Sequence, residues 1–236
     1  FVGIDFMPEH IAHAKHLASE AGVENVTFLE GDFLALSENS ESLGVFDYAI
    51  AHGITTWVAP EVREALFSIA SQTLSAGGIM YNSYNTFPGW LTASPFQNLV
   101  SLLQTRHTGI RALEKATNMF GEMLKAGSPI YEKLPTLSNQ LSQIEKQDVN
   151  YKVQEYNNHY WQPVYSNEML SLAARNKLTL IGTATVPEMF DGLYPVVGKD
   201  LINQQEDVFT REAVRDLVLS QSFRRDVYIK GGRQLW

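Results

Sequence analysis

The chain of 236 residues is long enough for one large domain or for one domain with a sizeable insertion. Its formal net charge of -8 argues against a nucleic-acid partner, and the absence of cysteine excludes disulfides, thiolate metal sites and a cysteine nucleophile. No apolar run is long enough to span a membrane and no leader peptide is visible, so we expect a cytoplasmic protein.

The first 90 residues alternate short apolar strands with helical patterns. Pro8 and Pro60 stand where helices would begin, because the missing N–H of proline costs nothing in a first helical turn. Gly77 and Gly78 are predicted to close the second of these helices. Short connections between strand, helix and strand favour parallel strands with right-handed crossovers. The strands are predicted at residues 1–5, 26–29, 46–51 and 78–82.

The alternation stops after residue 90 and returns later. Helical patterns over residues 96–107, 110–126 and 136–147 predict a helical insertion. Alternation resumes with a helix from Ser166, a strand over 178–184, a helix capped by Thr210 and a last strand over 225–230. The fold class predicted from the whole pattern is α/β.

Polar side chains stand at the ends of three predicted strands. Asp5, Asp32 and His52 each follow an apolar run, and ligands of open parallel sheets bind beyond the carboxyl ends of the strands. A carboxylate there can accept from both hydroxyls of a ribose, and Phe33 can offer an apolar face to a base. Enzymes that use nicotinamide cofactors place an acid in the same way, so the pattern alone leaves the cofactor open.

Several longer motifs carry a resemblance to a known family. VGIDFMPEHI (residues 2–11), FLEGDFLAL (28–36), FDYAIAHGITTWV (46–58) and LSAGGI (74–79) resemble the second to fifth strands of class I S-adenosylmethionine-dependent methyltransferases. Three later motifs resemble the bacterial branch with a methyltransferase regulatory domain, which includes enzymes that methylate lysines of outer-membrane proteins. These motifs are YNTFPGW (84–90), YWQPVYSNEML (160–170) and SFRRDVYIKGG (222–232).

The resemblance implies a domain layout. Residues 1–90 would form the cofactor-binding core of a Rossmann-like, mostly parallel sheet, and residues 91–165 a helical insertion that acts as a lid or substrate platform. Residues 166–236 would complete the sheet with an antiparallel last strand and carry a second insertion at 185–222. In the family, a first strand and a glycine-rich loop precede the segment that matches here. We therefore expect residues 1–5 to lie inside the sheet, beside an open or differently filled slot.

The resemblance also implies a cofactor, S-adenosylmethionine, and a set of site residues. The cofactor's ribose would contact Asp5, and its adenine would lie along Phe6 and Met7 with its edge at Asp32 and Phe33. The methionine part and the methyl group would lie beside Ala51, His52 and Gly53. The predicted catalytic residues are His52, Tyr84 and Asn85, with further candidates at Trp57, Trp90, Tyr160 and Trp161.

The function predicted from this resemblance is methyl transfer to a protein side chain such as lysine. A small-molecule acceptor and a non-catalytic, Rossmann-like binding or regulatory module remain alternatives. A nicotinamide oxidoreductase would call for Tyr-x-x-x-Lys on a helix after the fourth strand, which the sequence lacks. We predict no metal site, because His10, His13 and His16 drift around a helix and no acid or cysteine completes a ligand set.

For several site candidates a purely structural role remains open, and Tyr84 and Asn85 could fix the tight turn at residues 84–90. Asp5 could be a carboxylate at the N-terminus of a helix, since Pro8 begins one just after it. Asp32 follows Gly31 and could be a turn acid. His52 could be a core histidine that fixes a loop.

Overall fold

The computed structural model describes residues 1–148, 152, 155–156, 158 and 160–231, and within them the chain is an α/β protein. Part of the predicted insertion and Gly232 of the last quoted motif therefore lie outside the described residues. The strands are β1 (Val2–Asp5), β2 (Thr27–Glu30), β3 (Phe46–His52), β4 (Leu74–Asn85), β5 (Leu178–Thr183) and β6 (Phe223–Lys230).

The strands form two sheets. β1 and β2 pair in parallel, and a four-stranded sheet follows the order β3-β4-β6-β5. β3 and β4 are parallel, whereas β6 runs antiparallel to both of its neighbours. This is the predicted Rossmann-like arrangement with an antiparallel last strand, so the predicted fold class is confirmed.

β4 is longer than predicted. It begins at Leu74, directly after the preceding helix, and Phe46 pairs with Leu74 before a register irregularity. Gly77 has a φ of 82°, a left-handed conformation that glycine adopts without steric cost. The two glycines therefore belong to an irregular part of the strand, where the sequence pattern predicted the end of a helix.

The described helices lie between and after the strands. Near the strands of the first half are α1 (Pro8–Glu20), α2 (Phe33–Glu38) and α3 (Pro60–Thr73). The predicted insertion contains α4 (Ser94–Gln104), α5 (Gly109–Lys125), α6 (Pro129–Lys133) and α7 (Leu137–Lys146). The last part contains α8 (Ser166–Arg175), α9 (Val196–Asn203), which was not predicted, and α10 (Val208–Leu219). No described helix is long and apolar enough to cross a bilayer.

Two hydrophobic clusters hold the molecule together. The first joins the four-stranded sheet to α3 and α8 and includes Phe67, Met80, Met169 and Tyr228. The second lies within the predicted insertion, around Phe96, Leu113, Phe120, Leu137 and Tyr156. The helices of this segment therefore pack around a cluster of their own.

A buried ionic network fixes α10 against β6. Arg224 donates to Asp226 Oδ1 (2.9 Å), Asp216 Oδ1 (2.5 Å) and Glu212 Oε2 (2.8 Å). All four residues are almost completely buried. Burial of charges is costly unless they are paired, so the guanidinium and the carboxylates depend on one another.

An apolar groove of about 400 Å³ separates β1 from β3. Phe1, Val2 and Ile4 line one side, while Tyr48 and Ile50 line the other. Tyr48 and Ile50 are 69% and 74% exposed, because β3 is an edge strand of the four-stranded sheet and this face of it borders the groove. Among the described residues, β2 is the strand that pairs with β1. Residues 1–5 therefore belong to a separate two-stranded sheet and do not lie inside the larger one as expected, and the groove lies along their unpaired side.

Candidate active site

The carboxyl end of β3 is shaped by a turn at Gly53. The φ of this glycine is 64°, and its N–H donates to Ser83 Oγ on the neighbouring strand (2.9 Å). The preceding His52 places Nδ1 3.1 Å from Tyr81 Oη and 3.0 Å from Ser83 Oγ. Nδ1 has a hydrogen-bond partner in either tautomer, because each hydroxyl can donate or accept.

A cavity of about 640 Å³ opens at this edge of the sheet. Because β3 and β4 are parallel, their carboxyl ends meet there, together with the start of the antiparallel β6. The lining residues are His52, Gly53, Trp57, Asn85, Trp90, Glu155, Asn158, Ser222 and Phe223. We call this space the strand-end cavity. Its place in the sheet is where ligands of α/β folds bind.

Asn85 is the last residue of β4 and lies at the floor of the strand-end cavity with 6% of its surface exposed. Its backbone N–H donates to Thr56 Oγ1 (3.2 Å), and its carbonyl accepts from the Val164 N–H (3.3 Å). Its side-chain Nδ2 donates to Glu155 Oε1 at 3.5 Å. The backbone bonds on both sides hold the amide at a fixed position.

Glu155 is the site residue that the sequence analysis missed. It is 8% exposed, and among the described residues that line the strand-end cavity it is the one carboxylate. It precedes the aromatic candidates Tyr160 and Trp161, but an acid within a helical insertion has no strand end to mark it. The signal available was an acid close in sequence to the aromatic residues of 156–165.

Two of the aromatic candidates line the cavity. Trp57 lies in the turn after β3, and Trp90 is fixed by a hydrogen bond from its Nε1 to the Ser222 carbonyl (2.9 Å). Trp161 packs edge-on against Trp90 with ring centroids 5.1 Å apart, so it supports the wall from behind. Tyr160 is half exposed and does not line the cavity.

Tyr84 has a different position from the one the sequence predicted. Its side chain is fully buried, and its hydroxyl donates to Asp226 Oδ2 (2.6 Å), which also accepts from Tyr228 (2.9 Å). Burial, together with the negative charge of Asp226, raises the pKa of Tyr84 well above its ordinary value. We correct the predicted catalytic role to a structural one, because the hydroxyl faces the core and is held there as a donor.

The predicted ribose ligand Asp5 lies at the end of β1 and is partly exposed. Oδ1 accepts from the Met7 N–H (2.8 Å), and Oδ2 lies 3.2 Å from His10 Nδ1. The structural alternative is thus present, since the carboxylate fixes the start of α1. Each carboxylate oxygen has two acceptor positions, so both retain one for a ligand hydroxyl. Phe6 and Met7 beside it are 63% and 43% exposed.

The second predicted acid, Asp32, is the N-cap of α2 and accepts from the Leu34 N–H (2.9 Å). Phe33, next to it, lines the groove between β1 and β3 together with Ala51. Asp5 and Asp32 line neither the groove nor the strand-end cavity.

Residues at the end of β3 line both the groove and the strand-end cavity. Ala51 points into the groove, whereas His52 and Gly53 line the strand-end cavity. The structure therefore brings His52, Gly53 and Asn85 together at the strand-end cavity, whereas the carboxylates at the ends of β1 and β2 lie outside its lining. Carboxylates with spare acceptor positions next to exposed apolar surface fit a nucleoside.

Comparison with known proteins supports this description of the fold. A family model for a methyltransferase domain matches residues 1–185, and a model for a predicted methyltransferase regulatory domain matches residues 148–230. The chain is 32% identical over 235 residues to an uncharacterized protein of Synechocystis sp., covering 98% of this chain and 46% of that protein. An uncharacterized protein of Rickettsia prowazekii is 26% identical over 227 residues, covering 95% and 40%.

A solved structure shows the same fold. PKMT2 from Rickettsia typhi, in complex with AdoHcy, superposes with a TM-score of 0.79 at 23% identity and covers 99% of this chain and 44% of that one. The chain thus spans less than half the length of these relatives. The methyltransferase model covers more than half of the chain, in agreement with the resemblance found in the sequence. The chain belongs to the methyltransferase domain family, in the branch that carries a predicted methyltransferase regulatory domain.

Proposed function

We propose that this chain is the catalytic part of an S-adenosylmethionine-dependent methyltransferase whose acceptor is a protein side chain such as lysine. The observation that carries the proposal is the strand-end cavity, which lies at the carboxyl ends of β3 and β4 in a chain of the methyltransferase domain family. The motifs at residues 84–90, 160–170 and 222–232 resemble a branch that includes lysine methyltransferases, and this resemblance supports the lysine acceptor.

The proposed cofactor contacts follow from the positions of the predicted residues. Asp5 would hold the ribose, Phe6 and Met7 would line the adenine, and Asp32 and Phe33 would take the adenine edge. Ala51, His52 and Gly53 would lie beside the methionine part. When bound, S-adenosylmethionine supplies a methyl group on a positively charged sulfur.

The protein's contribution to methyl transfer is mainly positional. A nucleophile, a methyl carbon and a sulfur atom must lie in line, and holding that geometry supplies much of the rate. Asn85 and His52 are fixed by hydrogen bonds at the cavity floor and wall, so both can orient an acceptor. The predicted insertion reaches the same edge through Glu155 and Asn158, which supports its proposed role as a lid that excludes water.

A small-molecule acceptor is the second candidate. The strand-end cavity of about 640 Å³ lies within the range typical of small-molecule sites. A labelling experiment distinguishes a protein acceptor from a small-molecule acceptor. Incubation of the intact protein with S-adenosylmethionine labelled in the methyl group, followed by hydrolysis of the acceptor protein, should yield labelled methyl-lysine. Label found only in small molecules would favour the second candidate.

Cofactor binding is tested by calorimetry on the intact protein with S-adenosylmethionine and S-adenosylhomocysteine. We expect Asp5→Ala to weaken both by about tenfold or more, because a charge-assisted hydrogen bond to the ribose is lost. Glu9→Ala, on the exposed first turn of α1, is the matched control and should leave affinity unchanged.

Two outcomes would contradict the proposal in different ways. Binding that Asp5→Ala leaves unaffected would contradict the ribose assignment. Absence of binding in the wild-type protein would favour a non-catalytic binding or regulatory module.

A further inference from the structure

We propose that Thr56 is a positioning residue for methyl transfer, because its hydroxyl sets the place of Asn85 at the floor of the strand-end cavity. The inference rests on the proposed function, in which Asn85 orients the acceptor. Thr56 is not among the described residues that line the cavity, so its effect on turnover would act through Asn85.

β4 continues past the end of the strand beside it. The last pairing between β3 and β4 joins His52 to Ser83, and β4 ends at Asn85. The Thr86 N–H donates to the Ser222 carbonyl on the β6 side of the strand (2.9 Å). Successive residues of a strand direct their backbone groups to opposite sides, so those of Asn85 point to the side where β3 has already ended.

Two residues from other segments take the place of a strand partner at Asn85. Thr56 Oγ1 accepts from the Asn85 N–H (3.2 Å), and the Val164 N–H donates to the Asn85 carbonyl (3.3 Å). Asn85 is 6% exposed and Thr56 is completely buried, so water does not compete for these groups. Because a buried N–H without an acceptor costs free energy, the end of β4 depends on the Thr56 hydroxyl.

The loop that carries Thr56 is fixed by hydrogen bonds that do not involve its hydroxyl. Arg63, a buried residue of α3, donates from Nε to the Thr55 carbonyl (2.6 Å). The Gln162 N–H donates to the Thr56 carbonyl (3.0 Å). Removal of the Thr56 hydroxyl should therefore leave the loop in place and release Asn85 alone.

Thr56 also connects two parts of the chain that are far apart in sequence. Its hydroxyl accepts from β4, while its carbonyl accepts from Gln162, which lies within the regulatory-domain match at residues 148–230. Val164, the second partner of Asn85, belongs to the same match. The end of β4 is thus held between the loop after β3 and the regulatory-domain segment.

The effect on turnover follows from the geometry of the proposed reaction. The acceptor nucleophile, the methyl carbon and the sulfur must lie in line, and a displacement of about 1 Å can lower the rate about a hundredfold. A looser Asn85 would orient the acceptor less well in the transition state. The loss should therefore appear in kcat, whereas cofactor affinity depends on other residues.

The test compares two neighbouring threonines in the intact protein. Thr55 and Thr56 are both completely buried, but the Thr55 hydroxyl donates to Asn82 Oδ1 (3.2 Å) and makes no bond to Asn85. Valine has a similar shape without the hydroxyl, so Thr56→Val and the control Thr55→Val each remove one buried oxygen. Thr56→Ser keeps the hydroxyl and serves as the conservative variant.

Methyl transfer is measured with methyl-labelled S-adenosylmethionine and poly-L-lysine as the acceptor. We expect Thr56→Val to lower kcat about tenfold or more, because Asn85 is no longer fixed. Its affinity for S-adenosylhomocysteine, measured by calorimetry, should stay within about twofold of the wild-type value. Thr55→Val and Thr56→Ser should both keep kcat within about twofold to threefold of the wild-type value.

An unchanged kcat in Thr56→Val, or equal losses in Thr56→Val and Thr55→Val, would overturn the proposal. If Thr56→Val does not fold, hydrogen exchange in the wild-type protein decides, because the proposal requires a protected Asn85 amide and rapid exchange there would contradict it. Absence of methyl transfer by the wild-type protein would contradict the proposed function and this inference together. Transfer that Thr56→Val leaves unaffected contradicts the role of Thr56 alone.

Discussion

The unit formed by β1, β2 and α1 differs sharply in burial from the four-stranded sheet. Among residues 1–45, Ile11 and Ser40 are the buried residues. In the four-stranded sheet, by contrast, Tyr84, Asp226 and Tyr228 are fully inaccessible. Buried apolar area is the main source of folding stability. The four-stranded sheet is therefore the better packed of these two regions, while the proposed nucleoside contacts lie on the less buried unit.

The two regions also differ in whether their ion pairs are exposed or buried. In the first unit, Asp5 and His10 pair at the surface, with 42% and 67% of their side chains exposed. In the sheet, Arg224 and its three carboxylates pair inside the protein. Solvent screens the surface pair but not the buried network. Removal of the basic residue should therefore lower the free energy of unfolding much more in the sheet than in the first unit.

The largest effect is expected for Arg224→Met. It leaves three buried carboxylates without their common cation, which should lower the free energy of unfolding by about 3–5 kcal/mol. The matched substitution in the other unit, His10→Ala, should cost less than about 1 kcal/mol. Urea unfolding measures both. Equal losses would contradict the expected difference between the buried network and the surface pair.

A pH effect of intermediate size is expected from Asp216. Burial raises its pKa from 3.8 to about 6, although Arg224 opposes the shift. The pKa of Asp216 is higher in the folded protein than in the unfolded chain. The folded state therefore binds a proton more readily and is stabilised at low pH. The contribution is fully present below 3.8 and is lost as the pH rises through about 6. At about 1.4 kcal/mol for each pKa unit it amounts to about 3 kcal/mol.

Asp216→Asn provides the check on this pH effect. Urea unfolding at several pH values between about 4 and 7 should show a shallower dependence in the variant, because the titrating group is gone. A dependence identical to that of the wild-type protein would show that other groups cause it.

The smallest effect is expected for Tyr84→Phe, which removes one donor from Asp226 and should cost about 1–3 kcal/mol of stability. Methyl transfer per folded molecule should stay unchanged, because the hydroxyl faces the core. Tyr48→Phe is the matched control at the groove and should change stability by less than about 0.5 kcal/mol, since its side chain is 69% exposed. A loss of methyl transfer in folded Tyr84→Phe would show that Tyr84 takes part in catalysis.

Part of the lining of the strand-end cavity could be predicted from local sequence. The residues at the ends of β1, β2 and β3 are marked by apolar runs followed by a polar residue, and a parallel sheet gathers such ends at one edge. His52, Gly53 and Asn85 do meet there. Tyr84 could not be read in this way, because β4 is buried on both faces and adjacent residues lack the alternation that separates core from surface.

The sequence alone determined the fold class, the antiparallel last strand and the family, because these depend on periodicity, turn chemistry and motif spacing along the chain. Only the tertiary structure decided which side chains meet. It carried Glu155 from the insertion to Asn85, placed Tyr84 with Asp226 across a gap of 142 residues, and left the edge of β1 facing β3 across a groove. Such contacts depend on how distant segments pack, and no local pattern encodes them.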